Sequence, residues 1–306
     1  MKPTIITHKD CLTHGTITDH KEIPERLSAV IDIFDQAEII NAPFVEKEDL
    51  LRAHTQQHID RILQPMSEGE TLALDYDTNL DSNTADAALR SAGASTYALD
   101  QLLAEKFEAP FCAVRPPGHH AEPEQAMGFC YFSNVAITAL RAKYVHKVKR
   151  VAVVDFDVHH GNGTQACLTN EEGMYFGSIH QHPHYPNTGK VVEHKTACII
   201  RNVPLEGGIS AKHWREAFNQ KIIADLHAFK PRLIIVSAGF DAYKNDPYGD
   251  FNLETQDYAW LGTELGSLAK TYSSGHIVSI MEGGYDLVNL ANSAKAYQSA
   301  LMESLI

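Results

Sequence analysis

Short, mostly apolar runs punctuate the chain at 4–6, 37–41, 111–115, 151–155, 174–179, 197–203, 233–237 and 277–281. They are too short for buried helices and rich in Val and Ile, so they read as strands, the central ones buried on both faces. Between them, apolar positions recur with the helical period at 24–34, 49–63, 84–103, 135–144, 214–229 and 255–270. About eight strands alternating with helices predict an α/β fold, a mostly parallel sheet flanked by helices. No internal repeat, low-complexity tract or Ser/Gly linker interrupts the pattern, so residues 1–306 are expected to form a single domain. In such a sheet the functional groups sit on the loops that leave the carboxyl ends of the strands.

One strand and its loop organise that expectation. Residues 151–164 read VAVVDFDVHHGNGT, a buried strand running straight into two aspartates and two histidines. Alternate residues of a strand share a face, so Asp155, Asp157 and His159 converge while Phe156 and Val158 pack away. Carboxylates and an imidazole together at the end of a buried strand predict a metal site.

Other strand ends carry further chemistry. The segment RPPGHH, 115–120, presents His119 and His120 after two prolines and a glycine. An extended backbone would point these two side chains apart, toward different partners, with Asp155 and Asn162 as the groups that orient them. A histidine base needs an acceptor on its other nitrogen to fix its tautomer. The uncharged segment GFCYF, 128–132, reads either as core or as a tunnel wall. The loop SIHQHPHYPNTG, 178–189, reads as a rim in which Tyr185 faces a substrate and His180, His182 and His184 are not ligands. Asp241, just past the strand at 233–237, can complete a ligand set with Asp157 and His159, although alone it would read as a turn residue. The segment MEGGY, 281–285, uses two glycines to bring the Tyr285 hydroxyl close. His8, His14 and His20 lie in a polar loop and are not expected to be ligands; Arg26 sits at a helix start marked by Pro24.

Composition narrows the function. A net charge of −13 argues against direct nucleic-acid binding and is compatible with a cationic substrate. The start MKPTIITHKD lacks the apolar core of a signal peptide and no run reaches membrane-spanning length, so a soluble, cytoplasmic protein without a membrane partner is expected. Five scattered cysteines without a CxxC predict free thiols.

Taken together, RPPGHH, GFCYF, DFDVHHGNGT, SAGFDA (237–242) and EGGY (282–285) resemble, in order and over nearly the whole chain, the histone deacetylase family of the arginase/deacetylase superfamily. Asn162, where class I members carry Asp, resembles the class II branch and its bacterial amidohydrolase relatives. The resemblance implies a zinc-dependent deacetylase, with Fe²⁺ as the alternative ion, acting on acylated lysine. It implies Asp157, His159 and Asp241 as metal ligands, His119 and His120 as acid/base histidines backed by Asp155 and Asn162, and Tyr285 as the donor to the substrate carbonyl. Phe129 and Tyr185 would wall the tunnel beside Gly128, Asp77 would grip the substrate at the rim, and Arg26 would lie beneath the site. Asp155, Asp157, His159, Ser178 and Ile179 match a structural potassium site, partly through carbonyls. A binuclear manganese ureohydrolase fits less well, because Gly161 and Gly239 stand where that branch has aspartates. A polyamine amidohydrolase would carry a glutamate at the position of Tyr248, so acyl-lysine is favoured over a small acylated amine. The segment after Gly189, KVVEHKTACII, lacks the glycines common in the family.

Overall fold

The computed structural model describes residues 2–15, 21–190 and 193–306, so His20, Val191 and Val192 lie outside the described residues. Its centre is one nine-stranded sheet. In chain order the strands are β1 (Thr4–Thr7), β2 (Glu38–Asn41), β3 (Leu72–Ala73), β4 (Asn79–Leu80), β5 (Phe111–Cys112), β6 (Val151–Asp155), β7 (Met174–Gln181), β8 (Glu193–Lys195), β9 (Ile199–Leu205), β10 (Leu233–Ala238) and β11 (Ile277–Met281). The helices are α1 (Pro24–Ile33), α2 (Lys47–Ala53), α3 (Gln56–Ile62), α4 (Thr84–Leu103), α5 (Asn134–Tyr144), α6 (Asn162–Leu168), α7 (Ala211–Phe218), α8 (Ala224–Phe229), α9 (Thr255–Tyr272) and α10 (Leu287–Leu305).

The sheet order is β2-β1-β5-β11-β10-β6-β7-β9-β8, with every neighbouring pair parallel except the antiparallel β8–β9 edge; β3 and β4 form a separate hairpin. Central β6 and β10 are buried at every residue, whereas edge strand β2 is largely exposed. That gradient explains why the central runs are continuously apolar and β2 carries Glu38 and Asn41. All eight expected strands are present, although β5 is only two residues long.

Two expected helices are divided. The 49–63 pattern breaks at His54, whose extended backbone (φ −125°, ψ 150°) ends α2, and Thr55 then caps α3 by accepting the His58 N–H. The 214–229 pattern starts earlier, capped by Ser210, and passes through a π-helical turn, Asn219–Ile223, between α7 and α8. No helix among the described residues is long and apolar enough to cross a membrane. The five cysteines are free thiols.

Candidate active site

Parallel strands deliver their loops to one edge of the sheet, and the register β6–β10 sets Asp155 beside Ser237. The residues that follow the two strands therefore face one another. Val158 N–H donates to Asp241 Oδ1 (2.9 Å), His159 N–H to Asp157 Oδ1 (2.9 Å), and Gly283 N–H, from the loop after β11, to Asp157 Oδ2 (2.9 Å). A Cβ at Gly283 would fall on both carboxylates, so the close approach requires glycine. Asp157, His159 and Asp241 bring ligand atoms within 4.8 Å of one another, all buried. His159 Nδ1 faces Asp157 Oδ1 at 2.9 Å and Asp241 Oδ2 at 3.1 Å. Asp241 Oδ2 is left buried without a hydrogen bond. Burial, reinforced by Asp157, pushes Asp241 up to about 7. Two carboxylates and an imidazole around one buried point, with an orphaned oxygen, are a donor set that fits a divalent cation.

His119 and His120 occupy a turn closed by Ala121 N–H donating to Gly118 O (3.1 Å), so the rings do not point apart as extended backbone would require. Their centroids lie 3.9 Å apart and both rings line the same pocket. Their partners do differ: His119 Nδ1 meets Asp155 Oδ2 at 3.0 Å and His120 Nδ1 meets Asn162 Oδ1 at 2.8 Å. Burial opposes charge on both rings. Asp157 and Asp155 override it at His119, raising it to about 10, whereas His119 and His159 add to it at His120, holding that ring well below its usual range. The turn is clamped by Glu282, whose buried carboxylate accepts from Gly118 N–H (2.7 Å), His119 N–H (3.1 Å) and Ser237 Oγ (3.3 Å). The EGGY motif does not by itself disclose this role of Glu282. A glutamate at the end of a buried strand was the available signal.

The pocket holds about 210 Å³ and is walled by Phe129, Tyr185, Gly128, Tyr248, Tyr285, His184 and Pro117, with Asp77 and Tyr76 at its mouth. Tyr185 packs edge-on to His120 at 5.1 Å, and a Cβ at Gly128 would strike the His120 ring, so this glycine, at φ +57°, keeps the wall narrow. Tyr285 stands edge-on to Tyr248 at 4.8 Å. Asp77 accepts from Thr78 Oγ1 at 3.0 Å, and burial with Asp75 raises it to about 6. Of the GFCYF segment, Gly128 and Phe129 face the pocket while Cys130, Tyr131 and Phe132 are core. His184 stacks on His159 at 5.1 Å and bonds Tyr248 O through Nε2 at 2.7 Å, whereas His180 is fully buried between Ser178 Oγ and Gly189 O and forms no part of the rim. Ser178 pairs with Asp155 across β6–β7, with Ile179 next to it.

Beneath Tyr285, the Arg26 guanidinium lies 4.6 Å from the ring centroid and donates to Gly284 O and Glu282 O, both at 2.6 Å. It shares Glu22 with Arg115: Glu22 Oε1 accepts from Arg26 Nη1 (2.8 Å) and Arg115 Nε (2.5 Å), and Oε2 from Arg115 Nη2 (2.6 Å). Burial opposes the Glu22 charge, but Arg115 and then Arg26 outweigh it and hold the carboxyl down at about 2, against a usual 4.5. The folded value lies below the unfolded one, so this stabilisation is complete above pH ~4.5 and is lost as pH falls through about 2. Glu22→Gln leaves two buried guanidiniums without their counter-charge and should cost about 3–5 kcal/mol at pH 7. Thermal melts of both proteins should show that gap narrowing toward pH 2; a constant gap would contradict the ionic account.

A histone deacetylase domain model matches residues 20–301. The chain is 36% identical over 298 residues to an uncharacterized protein of Synechocystis sp., covering 94% of this chain and 96% of that one. It is 34% identical over 276 residues to the histone deacetylase-like amidohydrolase of Pseudomonas aeruginosa, covering 87% and 72%. The crystal structure of the HDA15 HD domain superposes with a TM-score of 0.91 at 31% identity, covering 97% of this chain and 90% of that one. The order of the motifs, the sheet that carries them and these similarities agree: the chain belongs to the histone deacetylase family, a family of amide-cleaving hydrolases.

Proposed function

We propose that residues 1–306 act as one zinc-dependent amidohydrolase that removes acetyl or related acyl groups from the ε-amine of lysine. The observation that carries this reading is the Asp157–His159–Asp241 triad at the foot of a narrow aromatic pocket into which His119, His120 and Tyr285 also face. A Zn²⁺ held by the triad, with Fe²⁺ as the alternative, supplies Lewis acidity, polarising an amide carbonyl and lowering the pKa of water toward about 7.

The chain's own groups do the rest. Phe129 and Tyr185 hold the flat, apolar arm of an acyl-lysine and keep bulk water out. His120 bonds a carbonyl oxygen through Nδ1, so its Nε2 lone pair is the acceptor for the proton of the attacking water. His119, paired with Asp155 through Nδ1, is placed to return a proton to the leaving amine. Tyr285 donates its hydroxyl hydrogen to the oxyanion as the carbonyl becomes tetrahedral. Asp77 accepts from the substrate backbone at the mouth. A potassium ion among Asp155, Asp157, His159, Ser178 and Ile179 would brace the β6–β7 end of the site.

Acyl-lysine is preferred over an acylated polyamine because Tyr248 presents no carboxylate to a secondary ammonium. The test is parallel hydrolysis of an acetyl-lysine peptide, a trifluoroacetyl-lysine peptide and acetylated spermidine by the zinc-loaded protein. Both peptides should be cleaved faster than the polyamine; cleavage of the polyamine alone would contradict the substrate assignment.

A further inference from the structure

We propose that Glu122 is a positioning residue that sets the tautomer of His120 by orienting Asn162. The inference rests on the reading of His120 as the proton acceptor of amide hydrolysis. Asn162 bridges two partners: Oδ1 lies 2.8 Å from His120 Nδ1, and Nδ2 lies 2.7 Å from Glu122 Oε1 and 3.4 Å from Met127 Sδ. An amide has one accepting and one donating end, whereas a carboxylate only accepts. With Glu122 on one side, the NH₂ group must face Glu122 and the carbonyl must face the histidine. His120 Nδ1 then carries the hydrogen and Nε2 presents its lone pair to the pocket. Turned over, the amide would donate to Nδ1, force the hydrogen onto Nε2, and leave the histidine unable to accept a proton there. An aspartate at 162 would accept with either oxygen and need no such helper. Glu122 thus supplies, one amide removed, both the orientation and the negative charge that Asn162 lacks.

Glu122 is itself anchored. Its carbonyl accepts from His54 Nδ1 (3.0 Å), while His54 Nε2 accepts the Ser133 N–H (2.9 Å), which fixes the His54 tautomer as the donor to Glu122. The neighbouring Pro123 carbonyl accepts the Thr55 N–H at 3.0 Å, so the break between α2 and α3 pins the loop that carries Glu122. His58 stacks on His54 at 4.8 Å and holds Tyr131 O at 2.8 Å, tying the same anchor to the wall that carries Phe129.

Glu122→Ala should lower kcat about 10- to 100-fold with KM little changed, the range typical of hydrogen-bond partners behind a functional ligand. Glu122→Gln, which keeps an accepting oxygen, should recover part of the loss. The deciding experiment repeats Glu122→Ala in an Asn162→Asp background, where it should cost nothing or raise kcat, because two carboxylates no longer face each other. An equal loss in both backgrounds would mean that Glu122 only supports the loop, and would overturn the proposal. Two-bond ¹H–¹⁵N correlation spectra of the metal-free proteins give a readout independent of activity. The unsubstituted chain should show His120 protonated on Nδ1, and Glu122→Ala and Glu122→Gln should shift hydrogen toward Nε2. An unchanged tautomer in both would also overturn the proposal. If the unsubstituted chain cleaves no acylated amine, the proposed function fails while the spectra still decide the role of Glu122.

Discussion

Replacing Tyr285 by Phe is expected to lower kcat on an acetyl-lysine peptide by about 10²- to 10³-fold while metal content and fold are retained. The ring is held from several sides: its backbone N–H donates to Asp246 Oδ2 at 2.8 Å, Arg26 lies under one face, and Tyr248 and Phe129 meet it edge-on. Phe preserves all of these contacts and removes only the hydroxyl. Burial pushes that phenol well above its usual pKa, with Arg26 only partly opposing, so it stays a neutral O–H donor across the working pH range. A donor that acts on the oxyanion and not on the resting amide affects kcat more than KM. Undiminished turnover in Tyr285→Phe would remove the hydroxyl from the reaction.

Asp241→Ala should have the larger effect, loss of the metal and of turnover to background. Its Oδ2 accepts no backbone N–H and faces the His159 ring, Nδ1 at 3.1 Å. Its Oδ1 accepts the Val158 N–H, and stranding that donor should cost about 1–3 kcal/mol. The variant is therefore expected to fold with a lowered Tm yet bind no stoichiometric zinc by elemental analysis. Retention of one ion per chain would contradict the ligand set.

The parts of the fold legible in the sequence were those whose burial is continuous. β6, β7, β10 and β11 are buried on both faces and leave mostly apolar runs. β8 is three residues of edge pairing, and the β3–β4 hairpin has two residues in each strand, too little of either to generate a pattern. α10 (Leu287–Leu305) has no such excuse of length. It was not among the expected helices although its buried positions, Leu290, Ala294, Tyr297 and Leu301, recur with the helical period. Within the site, Asp157 and His159 were readable from their place directly after a buried strand, although β6 ends at Asp155 and bends, not strand alternation, aim them. The close approach of His119 and His120 was not readable, because a turn replaces extended backbone there. His54 and Glu122 were beyond reach for a shared reason: each acts on a backbone group or amide distant in sequence, and no local spacing encodes such a contact.

The most direct test of a single-metal amide hydrolase is a titration of Zn²⁺ into the metal-free protein with acetyl-lysine peptide turnover as the readout. Activity should be absent at the start, rise to a plateau at one ion per chain and vanish again on chelation. Turnover that persists in the metal-free protein, or a fully loaded protein that cleaves no acylated amine, would contradict it.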